Sequence, residues 1–374
     1  MPTLNSKVLG SLVGAAAGDA IGAATELRTI EQIKTDFNGW VTTFIAPPQD
    51  TFGRCNEAGM CTDDFIQGQY ILEATLDQYG EVNGEVMNKA FKRWMDYPFY
   101  PNFTGPTTRA AMQRIFNDTR QSLQGNVETS QPMQEVVLIN NGNASATNGA
   151  AMKAWSASLL SLKTPEKLLA TTYEIARFTH DNVISVSGAC AISTAVNAAL
   201  SDGITLKDVM DAAIKGADQG YYYAEQHGAM MMAGPSVARR IELAVQIGQK
   251  HASWETAVSE LADIIGTGIH ASEAVPAVFG ILACCGNDPE KAILAAVNIG
   301  NDTDTIATMV GSIVGALHGI EALPSNYLPV LNKANKFKLE DLATRVLQLH
   351  NLDNLTNNFI PVRLQANGTD VAII

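Results

Sequence analysis

Glycine recurs at every fourth position in two places, at Gly10, Gly14, Gly18 and Gly22 and again at Gly311, Gly315 and Gly319. On a helix this spacing puts the glycines on one face. Each costs about 1 kcal/mol relative to alanine, so the stripes must serve a purpose that alanine would not. A membrane-embedded G-x-x-x-G pair is excluded by Asp19 and His318 and by the short apolar length. What remains is a pair of soluble helices whose backbones approach neighbours closely. Both are expected at the centre of the molecule.

Apolar periodicity of helical length covers 7–24, 64–79, 84–96, 107–118, 149–161, 165–178 and 185–201. It resumes at 205–216, 235–249, 254–265, 274–284, 288–298 and 304–320. Thr164-Pro165-Glu166 and Asn287-Asp288-Pro289-Glu290 carry start signals. Only Val136–Ile139 and Phe359–Leu364 look strand-like, and both are short. Thr35–Met60 and Thr119–Thr147 are long polar or turn-rich stretches, a length usually functional or mobile. No linker or repeat divides the chain. The expectation is an all-α fold: one compact multi-helix domain over 1–350, with a C-terminal tail, 351–374, packed on it.

With 46% hydrophobic and only 17% charged residues, the chain has ample material for helix-on-helix burial. Its 38 acidic and 25 basic side chains leave a net charge of −13 without a Lys/Arg cluster, which disfavours a nucleic-acid partner. Cys55, Cys61, Cys190, Cys284 and Cys285 form no C-x-x-C pair and read as free thiols in a reducing compartment. Asp19, Glu26 and Arg28 interrupt any leader-like N-terminal run, and Ala274–Cys285 is too short to span a membrane. The chain is therefore expected to be cytoplasmic, with no membrane partner.

Two clusters invite cation chemistry. Thr62-Asp63-Asp64 precedes an apolar helix, and Asn301-Asp302-Thr303-Asp304-Thr305 enters the second glycine helix. Each also reads as ordinary capping, with carboxylates complementing a helix dipole. An EF-hand fails on spacing, because counting from Asp302 the sixth position is Ala307 and the twelfth Ile313. Together, four carboxylates and two threonines without a thiol suit Mg²⁺ or Mn²⁺ rather than structural zinc. Two such ions could share the site. Glu26, just past the first glycine helix, is either a surface residue or a water-orienting base.

The Asn140–Lys153 segment, rich in Gly and Asn, could expose N–H groups to an anion, although it lacks a nucleoside-triphosphate P-loop pattern. Gly266-Thr267-Gly268 lacks the βαβ context of a dinucleotide fingerprint, so no organic cofactor is implied. His180, in Thr179-His180-Asp181-Asn182, is either structural or catalytic. Tyr221–Tyr223 and Met230–Met232 are either core or the lining of a nucleobase pocket.

These pieces resemble the ADP-ribosylglycohydrolase family, which includes the glycohydrolase that reactivates dinitrogenase reductase. The resemblance is carried by GSLVGAAAGDAIGAATEL (10–27), TDD (62–64), TNGAAMK (147–153), TH (179–180), IGTGIHASEAVPAVFGIL (265–282) and NIGNDTDTIATMVGSIVGALHG (298–319), in family order. It implies an all-α fold with a binuclear Mg²⁺ centre, sometimes Mn²⁺. Thr62, Asp63, Asp64, Asp302, Asp304 and Thr305 would be the ligands. Glu26 would handle the attacking water, with Asp63 and Asp304 joining it in the catalytic set. Thr147, Asn148, Gly149, Ala150 and Met152 would form the loop that cradles a diphosphate, and His180 would support or face the substrate.

The implied reaction is hydrolysis of an ADP-ribosyl glycosidic bond, on a modified protein side chain or a small ADP-ribosyl compound, by water attack at ribose C1. Alternatives are a hydrolase of nucleosides or other small N-glycosides, and a non-enzymatic crystallin-like protein. The chain departs from the family pattern at Lys153, where Arg is usual, at Phe65, where a hydroxyl residue is common, and at Asn301, where Gly is usual. None of the three is an implied ligand.

Overall fold

A computed structural model describes residues 1–78, 80–117 and 146–356, with side chains described as far as 350. The two strand-like pieces, nearly all of the 119–147 stretch and the tail beyond 356 lie outside the described residues. Among those residues the chain forms seventeen α-helices. Extended pairing is limited to two isolated bridges, Thr147 with His270 and Asn182 with Met230. The all-α expectation holds. No described helix is long and apolar enough to cross a membrane.

The two glycine helices, Leu4–Gly22 and Thr303–His318, run antiparallel at the centre. Their backbones touch. A Cβ on Gly10 would lie 2.3 Å from the Gly315 carbonyl oxygen, one on Gly14 2.2 Å from that of Gly311, and one on Gly18 2.0 Å from that of Ala307. A Cβ on Gly22 would sit 2.6 Å from the Asp304 Cα. The stripe therefore converts a propensity penalty into a contact that no larger residue permits. Ser11 reinforces it by donating to the Ser312 carbonyl at 3.0 Å, and Thr303 donates to the Gly22 carbonyl at 2.9 Å. This register brings residues 19–26 beside residues 302–305.

Most expected helices form within a few residues of their predicted ends, with informative exceptions. Segment 149–161 is not one helix but a 3-10 turn, Asn148–Ala150, and a short helix, Trp155–Leu160. Tertiary bonds override local propensity there: the Asn148 N–H donates to the Ile269 carbonyl at 2.8 Å, and its side-chain amide to Asp302. Pro165–Lys167 is likewise a 3-10 turn without a side-chain cap from Thr164, ahead of Leu168–Arg177. Helix Leu206–Gln226 runs ten residues past the predicted 216. Ile30–Asp36, Tyr100–Phe103, Tyr327–Asn335 and Leu339–Thr356 are helices that periodicity did not reveal. The first carries a capping box of Thr29 and Gln32, a signal present in the sequence.

Gly14→Ala or Gly311→Ala must force the central helices apart. Overpacking should outweigh the gain in helix propensity and cost about 1–3 kcal/mol or more. Gly84→Ala, where nothing lies within 4 Å of a new Cβ, should be near neutral. Urea melts of the three variants check the contrast.

Candidate metal centre

At the end of the glycine contact lies a cavity of about 380 Å³. Glu26, Thr62, Asp63, Asp64, Asp302, Asp304 and Thr305 all border it. So do Thr147, Asn148, Gly149, Met152 and His180, while Ala150 is fully buried and does not line it. Segments more than two hundred residues apart thus meet. The Thr305 hydroxyl donates to Asp64 Oδ1 at 2.6 Å across 241 residues.

Each carboxylate is aimed by a local device. Thr62 caps helix Asp63–Leu76, setting Asp63 and Asp64 in its first turn. The capping reading of this triplet is correct as far as it goes. Asp19, on the first glycine helix, completes the cap: it accepts the Thr62 N–H at 2.9 Å and the Phe65 N–H at 2.9 Å. Sequence reasoning gave Asp19 no role, though a lone carboxylate amid the small apolar residues of a glycine stripe was the available signal.

On the other side, Asp302 caps no backbone donor with its side chain. It instead accepts the Asn148 amide at 2.5 Å. Leu27 and Asn301 both have positive φ, 65° each, and the Leu27 N–H donates to the Asn301 carbonyl at 2.8 Å. The Asn301 N–H donates in turn to the Arg28 carbonyl at 2.8 Å, so Glu26 is pinned beside Asp302. Asparagine tolerates that left-handed conformation better than most residues, which accounts for Asn301 where the resemblance expects Gly. Phe65, the second departure, is fully buried and stacks on Trp155 with ring centroids 5.2 Å apart.

Six carboxylates in one buried region oppose one another. Burial first, and then the neighbouring carboxylates, hold the proton affinities of Glu26, Asp63, Asp64 and Asp304 well above the usual range. Burial pushes Asp19 up to about 7 against its three hydrogen bonds from Thr62 and Phe65. Asp302 is also raised by burial, opposed by its bond from Asn148.

Two further features suit a cation. Glu26 Oε2 is buried without a hydrogen-bond partner. The Thr62 hydroxyl lies 2.8 Å from Asp19 Oδ1 and 3.1 Å from Asp64 Oδ2, with a single proton to give. Oxygens of Asp19, Asp64 and Asp304 lie within 4.8 Å of one another, as do those of Glu26, Asp302 and Asp304. Asp304 is common to both groups. An all-oxygen, carboxylate-rich donor set fits hard divalent cations.

His180 is buried, with Nδ1 2.7 Å from the Thr179 hydroxyl and Nε2 2.8 Å from the Thr147 hydroxyl. Burial, and then the Lys153 charge, hold its pKa well below the usual value, so it is neutral. Both ring nitrogens are committed to hydroxyls, and its ring supports Gly149, where a Cβ would come within 2.8 Å of Cε1. Tyr222, Met230 and Met231 are exposed, whereas Met232 is buried. Tyr221, Tyr222 and Met232 line a separate cavity of about 250 Å³, so these side chains do not belong to the carboxylate cavity.

Residues 1–356 match the family model described as ADP-ribosylglycohydrolase. The chain is 28% identical over 344 residues to the uncharacterized protein YegU of Escherichia coli (strain K12), covering 90% of this chain and 95% of that one. It is 26% identical over 340 residues to ADP-ribosylhydrolase ARH3 of Homo sapiens, covering 86% and 88%. A solved structure titled ADP-ribosylglycohydrolase-related protein complex superimposes with a TM-score of 0.64 at 21% identity, over 93% of this chain and 99% of that one. With its fold matched over nearly the whole length and the family model spanning residues 1–356, the chain belongs to the ADP-ribosylglycohydrolase family.

Proposed function

We propose that the protein is a divalent-metal-dependent hydrolase of an ADP-ribosyl glycosidic bond, acting on a modified protein side chain or a small ADP-ribosyl compound. The observation that carries this reading is the convergence of Glu26, the two carboxylate clusters and the Thr147–Met152 segment on one cavity in a chain of this family. Thr62, Asp63, Asp64, Asp302, Asp304 and Thr305 would hold two Mg²⁺ or Mn²⁺ ions. Bound there, the ions supply charge neutralisation and a template for the ribose hydroxyls and water.

The chain's own groups account for the rest. Glu26 borders the cavity with its Oε2 buried and free of hydrogen bonds. Its raised proton affinity suits a base that takes a proton from water attacking C1. Glycosidic cleavage passes through an oxocarbenium-like transition state, and the surrounding carboxylates favour its positive charge. Asn148 and Gly149 also line the cavity, and the backbone N–H of Gly149 in that turn can meet a diphosphate. Asn148 ties the turn to Asp302, so the turn and the carboxylates hold a common register.

Adding Mn²⁺ or Mg²⁺ to chelator-treated protein should raise Tm, each occupied site adding about 2.7 kcal/mol of stabilisation at a hundredfold excess over its Kd. Calorimetry should give two ions per chain. An unchanged melt would remove the metal reading.

Asp304→Asn keeps the side-chain shape and removes one of the mutually repelling charges. The metal-free variant should melt at or above the wild-type temperature, lose the metal-induced rise and lose turnover of ADP-ribosyl-arginine. Assays with a nucleoside panel, each with and without EDTA, separate this substrate class from simpler N-glycosides. Wild-type turnover in Asp304→Asn would sink the site assignment.

A further inference from the structure

Lys153 is fully buried, yet among the described residues no carboxylate lies within ion-pair range of it. Its ammonium faces three neutral acceptors: the Gly149 carbonyl, Gln67 Oε1 at 3.2 Å and the Thr179 hydroxyl at 3.3 Å. An ammonium buried in this way is unfavourable against an apolar side chain of similar length. Burial pulls its pKa down to about 7, while the Asp63 and Asp64 charges act in the opposite sense. The three acceptors come from three parts of the fold that border the cavity.

Gln67 lies one helical turn after Asp63 and is itself buried. With its oxygen turned to Lys153, its amide nitrogen donates to Asp63 Oδ2 at 2.9 Å. That bond selects one orientation of the Asp63 carboxylate and leaves Oδ1 for the cavity. At Gly149, the bond to Lys153 draws the carbonyl inward. In a planar trans peptide the next N–H, that of Ala150, must then point away from Lys153. Thr179 continues the chain of contacts through His180 to Thr147 on the cavity wall.

We propose that Lys153 and Gln67 are positioning residues: the buried Lys153 side chain sets both the cation-binding orientation of Asp63 and the orientation of the Gly149 peptide on the cavity wall, and so couples cation binding to substrate binding. This rests on the metal reading of the cavity given above. It also gives Lys153 a role that does not require contact with substrate. Neither residue borders the cavity.

The test is calorimetric titration of the full-length chain, first with Mn²⁺ and then with ADP-ribose at saturating Mn²⁺. Gln67→Leu cuts the link to Asp63 and leaves the Lys153–Gly149 contact. It should weaken Mn²⁺ binding by about 10–100-fold, as loss of a partner behind a metal ligand does, while ADP-ribose affinity at saturating Mn²⁺ stays near wild type. Lys153→Met should weaken both. General loosening of the structure would instead lower both affinities in both variants together, and that pattern overturns the proposal. So does wild-type Mn²⁺ affinity in Gln67→Leu, a result that stands even if Lys153→Met fails to fold. A wild-type chain that binds no Mn²⁺ overturns the metal reading itself, and this inference with it.

Discussion

The backbone contact between the two glycine helices is the constraint on which the site depends. Gly14 and Gly311 each present a bare Cα to the other's carbonyl, and Gly10 with Gly315 repeats the arrangement. Contact this close leaves no freedom to slide, because any other register would drive a side chain into a carbonyl. The next step along the stripe sets Gly22 against Asp304. Asp19 and Glu26 on one chain segment, and Asp302 and Asp304 on the other, are therefore delivered to one place by packing well away from the chemistry.

That place is electrostatically unfavourable when left alone. Asp64 raises the proton affinity of Glu26, both raise that of Asp304, and burial raises all three. A fold optimised for stability would not gather them. The glycine contact, the cap of Asp19 on Thr62 and Phe65, and the reciprocal Leu27–Asn301–Arg28 bonds hold them together regardless. Local strain follows the same pattern: Leu27 and Asn301 adopt left-handed backbone on either side of the carboxylates. Functional sites are where such costs are usually found.

The chain's three departures from the family pattern have separate physical accounts. Asn301 keeps the left-handed geometry that glycine would supply. Phe65 exchanges a hydroxyl for a stacked contact with Trp155 and keeps the backbone N–H that Asp19 needs. Lys153 supplies three donors to the Gly149 turn, Gln67 and Thr179. It does so as a point charge rather than the planar fork of an arginine.

Much was legible before any coordinates. The helical class followed from apolar periodicity, and the need of each central helix for a close neighbour from glycine spacing, because both are local properties of a 3.6-residue repeat. The resemblance supplied the site residues, but spacing could not show that Thr62–Asp64 and Asp302–Thr305 meet, since nothing local distinguishes a metal ligand from a helix cap. The capping reading of Thr62 holds, and the cap sets Asp63 and Asp64 in the first turn of its helix. The capping role of Asp19, the break of 149–161 into a 3-10 turn and the Lys153–Gln67–Asp63 link depend on partners distant in sequence or on side-chain direction. Sequence by itself determined that this chain would bury helices on helices and that each glycine-striped helix would meet a neighbour at close range. Only the tertiary structure decided which oxygens share the cavity at the end of that contact, because their meeting is set by the register of packing and not by any preference of the residues themselves.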